Sequence, residues 1–380
     1  MKAAGSKAAG SKAAGPKAAG SNPAGSKAPG AKPRGIAPDV VAWQRLHGRH
    51  DLPWQGSGDP YRIWLSEVML QQTQVATVMP YFKAFIAAFP TVAQLAAAQP
   101  DEVMSLWSGL GYYSRARNLH AAARLVVERY GGRFPGSAAA LAELPGVGQS
   151  TAAAIAVFAF GERAAILDGN VKRVFSRVFA VEGHAGEAAV MRLLWLHAQA
   201  ELPVVDSDIK AYTQGLMDLG ATLCTRRDPA CGRCPLQDKC QARLADAVAR
   251  FPSARPARTV AVREVEMLLL SNGATVLLEQ RPPTGIWGGL WSLPELVLPD
   301  GSAPITAAGL TLPPSRVVDF MRFEHVFTHF RMKARVWRAE LDDAEAARSL
   351  RQTPATRWLP LAEAAGAPLP SPVKSLLLSL

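Results

Sequence analysis

Between about residue 38 and residue 250, apolar side chains recur every three or four positions in successive blocks, the pattern of helices with one buried face. The longest block, Ile63–Phe89, carries Pro80, which predicts an interruption because proline has no N–H to donate. Val92–Ala98, Asp101–Ser108, Ser114–Tyr130, Ser137–Leu144, Ser150–Phe160, Val171–Val181, Ala188–Ala200 and Ile209–Leu219 follow at ordinary helix length. After Arg250-Phe-Pro-Ser-Ala-Arg-Pro-Ala-Arg258 the period changes. Val260–Leu270 and Thr275–Gln280 read as strands joined by a turn at Ser271-Asn272-Gly273, and Val326–Trp337 also alternates. The expected architecture is multidomain: an all-α domain over 38–249, a linker over 250–260 and a smaller α+β domain over 261–380.

Residues 1–35 fit neither period. They repeat every five residues, from Met-Lys-Ala-Ala-Gly to Ala-Lys-Pro-Arg-Gly, and a glycine in each repeat prevents a stable helix. A disordered basic low-complexity tail is expected over 1–37. It either holds a polyanion loosely by counterion release or is a solvated extension.

A hydrophobic content of 49% over 380 residues supports real cores. The net charge of +11 points toward a polyanion, most simply nucleic acid. Residues 1–35 hold seven cations and no acid, however, so the remaining chain is only moderately basic. The N-terminus lacks the apolar run of a signal peptide, and Ala152–Phe160 is too short to cross a bilayer. A monomeric cytoplasmic protein with no membrane partner is expected.

All four cysteines, Cys224, Cys231, Cys234 and Cys240, fall within seventeen residues, in the spacing C-x6-C-x2-C-x5-C. Disulfide frameworks belong to small secreted domains, whereas four thiolates converging on a point make a complete coordination shell. Zinc and an iron–sulfur cluster both satisfy that shell, and the spacing leaves them open. Arg226, Arg227, Arg233 and Lys239 would give the pinned loop a face for phosphates.

Four further strings can carry chemistry. In Leu144-Pro-Gly146-Val-Gly148-Gln-Ser150-Thr, a tight glycine turn separates two apolar helical patterns. Amides at the second helix start favour an anion, such as a DNA phosphate. Glu67 lies in Trp64-Leu-Ser-Glu67-Val-Met-Leu-Gln71-Gln72-Thr73, with Ile63, Trp64, Leu70 and Gln71 as its helical neighbours. It is either an exposed residue on an amphipathic helix or a desolvated carboxyl with a raised pKa, equipped as a general acid. Asp168, in Leu167-Asp168-Gly-Asn170-Val-Lys172-Arg173, is either an ordinary helix cap or an ionised group that stabilises a cation. Leu110-Gly-Tyr112-Tyr113-Ser-Arg115-Ala-Arg117 sets aromatics beside arginines, which suits base stacking with phosphate contacts, or a core beside a solvated face.

In combination these strings resemble the endonuclease III superfamily of base-excision DNA glycosylases, over about residues 38–245, and within it the adenine DNA glycosylases of MutY type. The resemblance implies a helix-hairpin-helix glycosylase domain and makes the cysteine loop the ligand set of a 4Fe–4S cluster. Bifunctional members of the superfamily carry a lysine nucleophile just after the hairpin. Ser150 stands there, and serine cannot form the Schiff base of lyase chemistry. The C-terminal part resembles the Nudix-like domain that recognises 8-oxoguanine, through Gly285-Ile-Trp-Gly-Gly-Leu-Trp and Phe327-Thr328-His329. Leu296–Leu310 holds only Asp300 as an acid, too few for the metal box of a true Nudix hydrolase.

The substrate so implied is double-stranded DNA with adenine opposite 8-oxoguanine or G, in a bacterial cytoplasm and nucleoid. Adenine is flipped out of the stack. Gln71, Gln72 and Tyr112 fill or wedge the gap, and Thr73, Leu110, Gly146, Gly148, Ser150 and Lys172 are further contacts. Glu67 protonates the base, Asp168 stabilises the sugar cation, and Asn170 assists them. Two rival readings remain: a bifunctional pyrimidine glycosylase/lyase, and a non-enzymatic cluster-bearing DNA-binding protein in which Glu67 and Asp168 are bland.

Overall fold

The computed structural model describes residues 35–255, 260–298, 304–307, 310–327, 329–343, 345 and 355–380. The expected tail up to residue 34, linker residues 256–259 and Thr328 lie outside the described residues. Residues 36 and 37, assigned to the tail from sequence, belong to the folded body: Ile36 and Ala37 are buried, and the first helix starts at Ala37.

Twelve helices among the described residues form the first part: α1 (Ala37–His47), α2 (Pro60–Leu70), α3 (Val75–Ala88), α4 (Val92–Ala97), α5 (Pro100–Trp107), α6 (Ser114–Tyr130), α7 (Ala138–Leu141), α8 (Gln149–Ile155), α9 (Gly169–Val178), α10 (Ala188–Ala200), α11 (Ile209–Asp218) and α12 (Gln241–Leu244). Local sequence sets many of the starts. Asp59 caps α2 by accepting from the Tyr61 amide, with Pro60 in the first turn. Thr91 and Gln94 form a reciprocal capping box on α4.

The interruption expected at Pro80 does not occur there; Pro80 lies inside α3. The break falls at residues 71–74 because Arg115 takes the carbonyls of Val68, Met69 and Gln71, at 3.1, 2.7 and 2.7 Å, in place of a further helical turn. Two helices end in wider π turns, Ala156–Phe160 after α8 and Leu219–Leu223 after α11. Such turns often accompany functional sites.

The second part is a mixed sheet of β1 (Ala261–Ser271), β2 (Thr275–Gln280), β3 (Trp291–Ser292), β6 (Val318–Val326), β7 (Phe330–Glu340) and β8 (Thr356–Pro360), with a separate hairpin of β4 (Ile305–Ala307) and β5 (Leu310–Leu312). Its order is β3-β2-β1-β7-β6, with β8 on β2, and β1 runs parallel to β7 from Ala261 opposite Phe330 to Ser271 opposite Glu340. Helices α13 (Leu361–Ala364) and α14 (Ser371–Leu378) close the chain. The expected β1–β2 turn is present, with Asn272 Oδ1 accepting from the Thr275 amide at 2.8 Å. The alternating run Val326–Trp337 is not one strand: it straddles the turn between β6 and β7. The alternation is that of β7, in which Met332, Ala334 and Val336 are buried.

The two parts share one apolar core, in which Trp64, Phe85 and Trp107 belong to the same cluster as Leu278, Leu290 and Val336. Ser108 Oγ and Tyr113 Oη both donate to the Leu369 carbonyl, at 3.2 and 3.3 Å. A second core packs α1, α9, α10 and α11 around Val40, Phe175, Leu194 and Leu216. Among the described residues no helix is long and apolar enough to cross a membrane.

Candidate active site

The loop after the π turn of α8 brings Asp168 to the start of α9, and the middle of α2 presents Glu67 to it. Both line a cavity of about 670 Å³ together with Gln71, Thr73, Ser150, Thr151, Asn170 and Arg173. Sequence offered a helix cap or an ionised group that stabilises a cation for Asp168; it caps α9 and also lines the cavity. Its Oδ1 accepts from the Val171 amide at 2.7 Å while the side chain faces the cavity. Glu67 is not a solvated surface residue. Burial, and then the nearby Asp168 charge, push its pKa up to about 8, so it carries a proton at neutral pH. Burial also raises Asp168, but the Val171 and Asn170 amides, Arg173 and Lys172 pull it back. Two carboxyls held in different environments are suited to different charge states.

Supporting contacts fix this pair. Ser150 Oγ accepts from the Leu167 amide at 2.8 Å, which anchors the chain just before Asp168. Asn170 Oδ1 accepts from Arg173 Nη2 at 2.9 Å. Arg173 also donates to the Gly220 carbonyl at 2.6 Å and the Cys224 carbonyl at 2.7 Å, tying α9 to the cysteine loop. Gly220 must be glycine here, since a Cβ would come within 2.5 Å of the Asn170 Cβ. Gln71 Nε2 reaches the Gly146 carbonyl at 3.2 Å, joining α2 to the glycine turn. Gly146 has φ +77°, and a Cβ there would meet Asn118 at 2.8 Å. Gly148 caps α8, whose first amides have no intrahelical acceptor.

A second cavity of about 440 Å³ meets Glu67 from another side, lined by Arg49, His50, Trp54, Gln55, Ser66 and Gln214 among others. Glu67 and Arg49 line both cavities, whereas Asp168 lines only the first. Sequence reasoning missed this wall. Its organiser is Asp218, fully buried, which accepts from the Arg49 amide and Nε at 2.9 and 2.7 Å and from Gln214 Nε2 at 2.8 Å. A single acid inside an apolar helical block was the only signal.

The arginines of the aromatic string make contacts within the protein. Arg115 is buried and bonds five backbone carbonyls and Thr73 Oγ1 through its terminal nitrogens, and Arg117 donates to the Gly288 carbonyl of the C-terminal part. Leu110, expected to touch DNA, is buried instead, while Tyr112 and Gln72 are exposed. Tyr112 joins Arg117, Trp287, His325, Phe327 and His329 around a third cavity of about 530 Å³. Phe327 stacks on Phe330 at 4.4 Å and meets His325 edge-on at 4.6 Å. Lys172 is half-buried and does not line the main cavity.

The four cysteine thiols face one small apolar hollow, with Val174, Leu219, Leu223 and Leu236 in its wall. Burial raises the Cys234 thiol to about 11, and each of the other three adds to the effect, so all four lie within mutual electrostatic range. The donor set and the dry wall fit a thiolate-ligated group. Arg226, Arg227 and Arg233 are exposed on this loop, whereas Lys239 is paired with Asp39 at 2.6 Å.

Residues 65–199 match the HhH-GPD superfamily of base excision DNA repair proteins, residues 224–240 the iron–sulfur binding domain of endonuclease III, and residues 266–379 the NUDIX domain. An adenine DNA glycosylase of Buchnera aphidicola subsp. Baizongia pistaciae is 36% identical over 259 residues, which cover 68% of this chain and 73% of that protein. The chain belongs to the adenine DNA glycosylase family. The mouse adenine DNA glycosylase is 35% identical, with 84% of this chain and 73% of that protein covered. A thermostable thymine-DNA glycosylase structure superposes with a TM-score of 0.49 at 28% identity, over 55% of this chain and 95% of that one. As a member of the adenine DNA glycosylase family, the chain is a hydrolase of N-glycosyl bonds that carries an iron–sulfur loop and a Nudix-like C-terminal domain.

Proposed function

We propose that this protein removes adenine paired with 8-oxoguanine, or with G, from double-stranded DNA, and that it does so by hydrolysis alone. One observation carries the reading: Glu67 and Asp168 meet in a single cavity, where burial keeps the first protonated and backbone amides favour the charge of the second. The division of the cavities supports a placing of the substrate's parts. The acid must touch the base and the anion must face the sugar. The base therefore belongs in the second cavity, beside Glu67, Trp54, Gln55 and Gln214, and the sugar in the cavity that Asp168 shares.

Adenine leaves the stack and enters that cavity. Glu67 donates its proton to adenine N7, the C1′–N9 bond breaks with its electron pair going to the base, and Asp168 balances the charge growing on the sugar. Water adds at C1′, and a proton returns to Glu67. Asn170 and Ser150 hold Asp168 in place. Gln71, Gln72 and Tyr112 occupy the vacated stack, with Thr73, Gly146, Gly148 and Lys172 near the backbone. Phe327, Thr328 and His329 read the opposing base. Ser150 in place of a lysine supports a monofunctional reaction.

The four thiolates would hold a 4Fe–4S cluster. The match of residues 224–240 to the iron–sulfur binding domain of endonuclease III supports a cluster over zinc. The protein would act as a cytoplasmic, nucleoid-associated monomer, with domains at 36–249 and 261–380. Duplexes bearing A opposite 8-oxoguanine, A opposite G, and thymine glycol test the reading. Free adenine from the first two without strand nicking is expected, with none from Glu67→Gln. Nicking without base or heat, or turnover by Glu67→Gln, would refute it.

A further inference from the structure

Gln72 and Tyr112, the exposed tips of two separate turns, share an uncommon backbone state. Both are non-glycine residues in the left-handed region, at φ +58° and +48°. Such conformations persist only where the surroundings over-determine them. One side chain does this for both. Arg115, only 6% exposed, makes six hydrogen bonds through its two terminal nitrogens. Nη1 takes the Val68, Met69 and Gln71 carbonyls. Nη2 takes Thr73 Oγ1 at 3.1 Å and the Leu110 and Gly111 carbonyls at 3.3 and 3.1 Å. Its guanidinium also lies 5.2 Å from the Trp107 ring and 5.5 Å from the Tyr112 ring. Closing the end of α2 requires only the first set of bonds. Two bonds of the second set reach the turn at Leu110 and Gly111, some forty residues from the end of α2, and have no role in capping α2.

We propose that Arg115 is a positioning residue which clamps the Gln72 and Tyr112 turns into one rigid two-pronged element that opens the base stack. The inference rests on the proposed function, in which these residues enter the duplex. A planar fork with fixed donors can serve two turns at once; a lysine ammonium keeps the charge but not the fork.

The test uses the full chain, wild type and Arg115→Lys, in single-turnover adenine release from two substrates. One holds adenine stacked opposite 8-oxoguanine. The other holds adenine in an unpaired bulge, where little stack has to be opened. Arg115→Lys should be roughly 10- to 100-fold slower on the stacked substrate, the size of effect that a displacement of about 1 Å causes. It should be little changed on the bulge, and fluorescence of 2-aminopurine beside the target should show less unstacking. Equal loss on both substrates, or no loss on either, overturns the assignment. Should Arg115→Lys not fold, hydrogen exchange on the wild-type chain replaces it. The backbone amides of residues 71–74 and 109–112 should be protected to the same degree and open together, and independent opening of the two turns overturns the clamp. Wild-type failure on both substrates would instead refute the functional reading, and the clamp with it.

Discussion

Ser150 Oγ and the Leu167 amide are joined by a 2.8 Å hydrogen bond, immediately before Asp168 in the chain. A hydroxyl in the first turn of α8 is thus used to hold the loop that leads to Asp168. Ser150→Ala leaves a buried amide unpaired, which should cost about 1 kcal/mol of stability. Asp168 would sit less firmly, so single-turnover adenine release should slow by roughly 3- to 10-fold while DNA affinity hardly moves. A loss confined to affinity would contradict this role.

Glu67 sets two pH dependences of related origin. The reaction needs it protonated and Asp168 ionised. Activity should fall as pH rises through about 8, and fall again in acid as Asp168 gains a proton at its raised pKa. Stability follows from linkage. Between the ordinary value of 4.5 and about 8, the folded protein keeps a proton that the unfolded chain has released, so stability declines as pH rises across that window. Glu67→Gln should therefore equal wild type near the acid end and exceed it at pH 8 by roughly 1–3 kcal/mol. Thermal melts at both pH values check this, and equal melting at pH 8 would count against a buried, protonated Glu67.

Asp218 pairs with Arg49 deep in the body, its side chain only 1% exposed. Asp218→Asn leaves the Arg49 cation partly uncompensated, and a loss of roughly 3 kcal/mol is expected. In protein that still folds, KM for adenine-containing duplex should rise more than kcat falls, because the base cavity loses the order of Arg49 and Gln214. Asp218→Glu should recover part of both. Unchanged kinetics in Asp218→Asn would remove Asp218 from this role.

Loss of the cluster should be felt in the cavity as well as at the DNA backbone. Arg173 bonds the Cys224 carbonyl and Asn170 with the same guanidinium. Cys240→Ala should lose the broad visible absorbance of an iron–sulfur cluster, melt earlier and bind DNA weakly. It should also turn over bound substrate more slowly. Full turnover at saturating protein would show that the loop serves binding alone.

Much of this was legible from local pattern. Helix starts with Asp59 or Thr91, the cysteine spacing, and the strings around Glu67, Ser150 and Asp168 all speak within a few residues of themselves. What stayed hidden depends on partners far along the chain. The break after α2 was placed at Pro80 because a proline is visible, whereas its cause is Arg115, more than forty residues on. Asp218 looked like one acid among apolar neighbours until α11 packed against the chain at Arg49. Arg117 stayed open between a phosphate contact and a solvated face because its acceptor, Gly288, lies in another domain. Arginine is ambiguous in sequence, since the same fork suits a phosphate and a set of backbone carbonyls.

The first turn of α6 carries two arginines that reach different partners. Arg115 grips the end of the helix that holds Glu67, and Arg117 grips the glycine loop beside Trp287 and Phe327. On the proposed reading these are the sites of the two members of one base pair. Affinity gained by recognising the damaged base on one strand can then be directed into distorting the intact one on the other, and need not appear as tighter binding. An undamaged pair that docks as closely would lack that driving force, so discrimination would arise in the rate of base removal rather than in how long DNA stays bound.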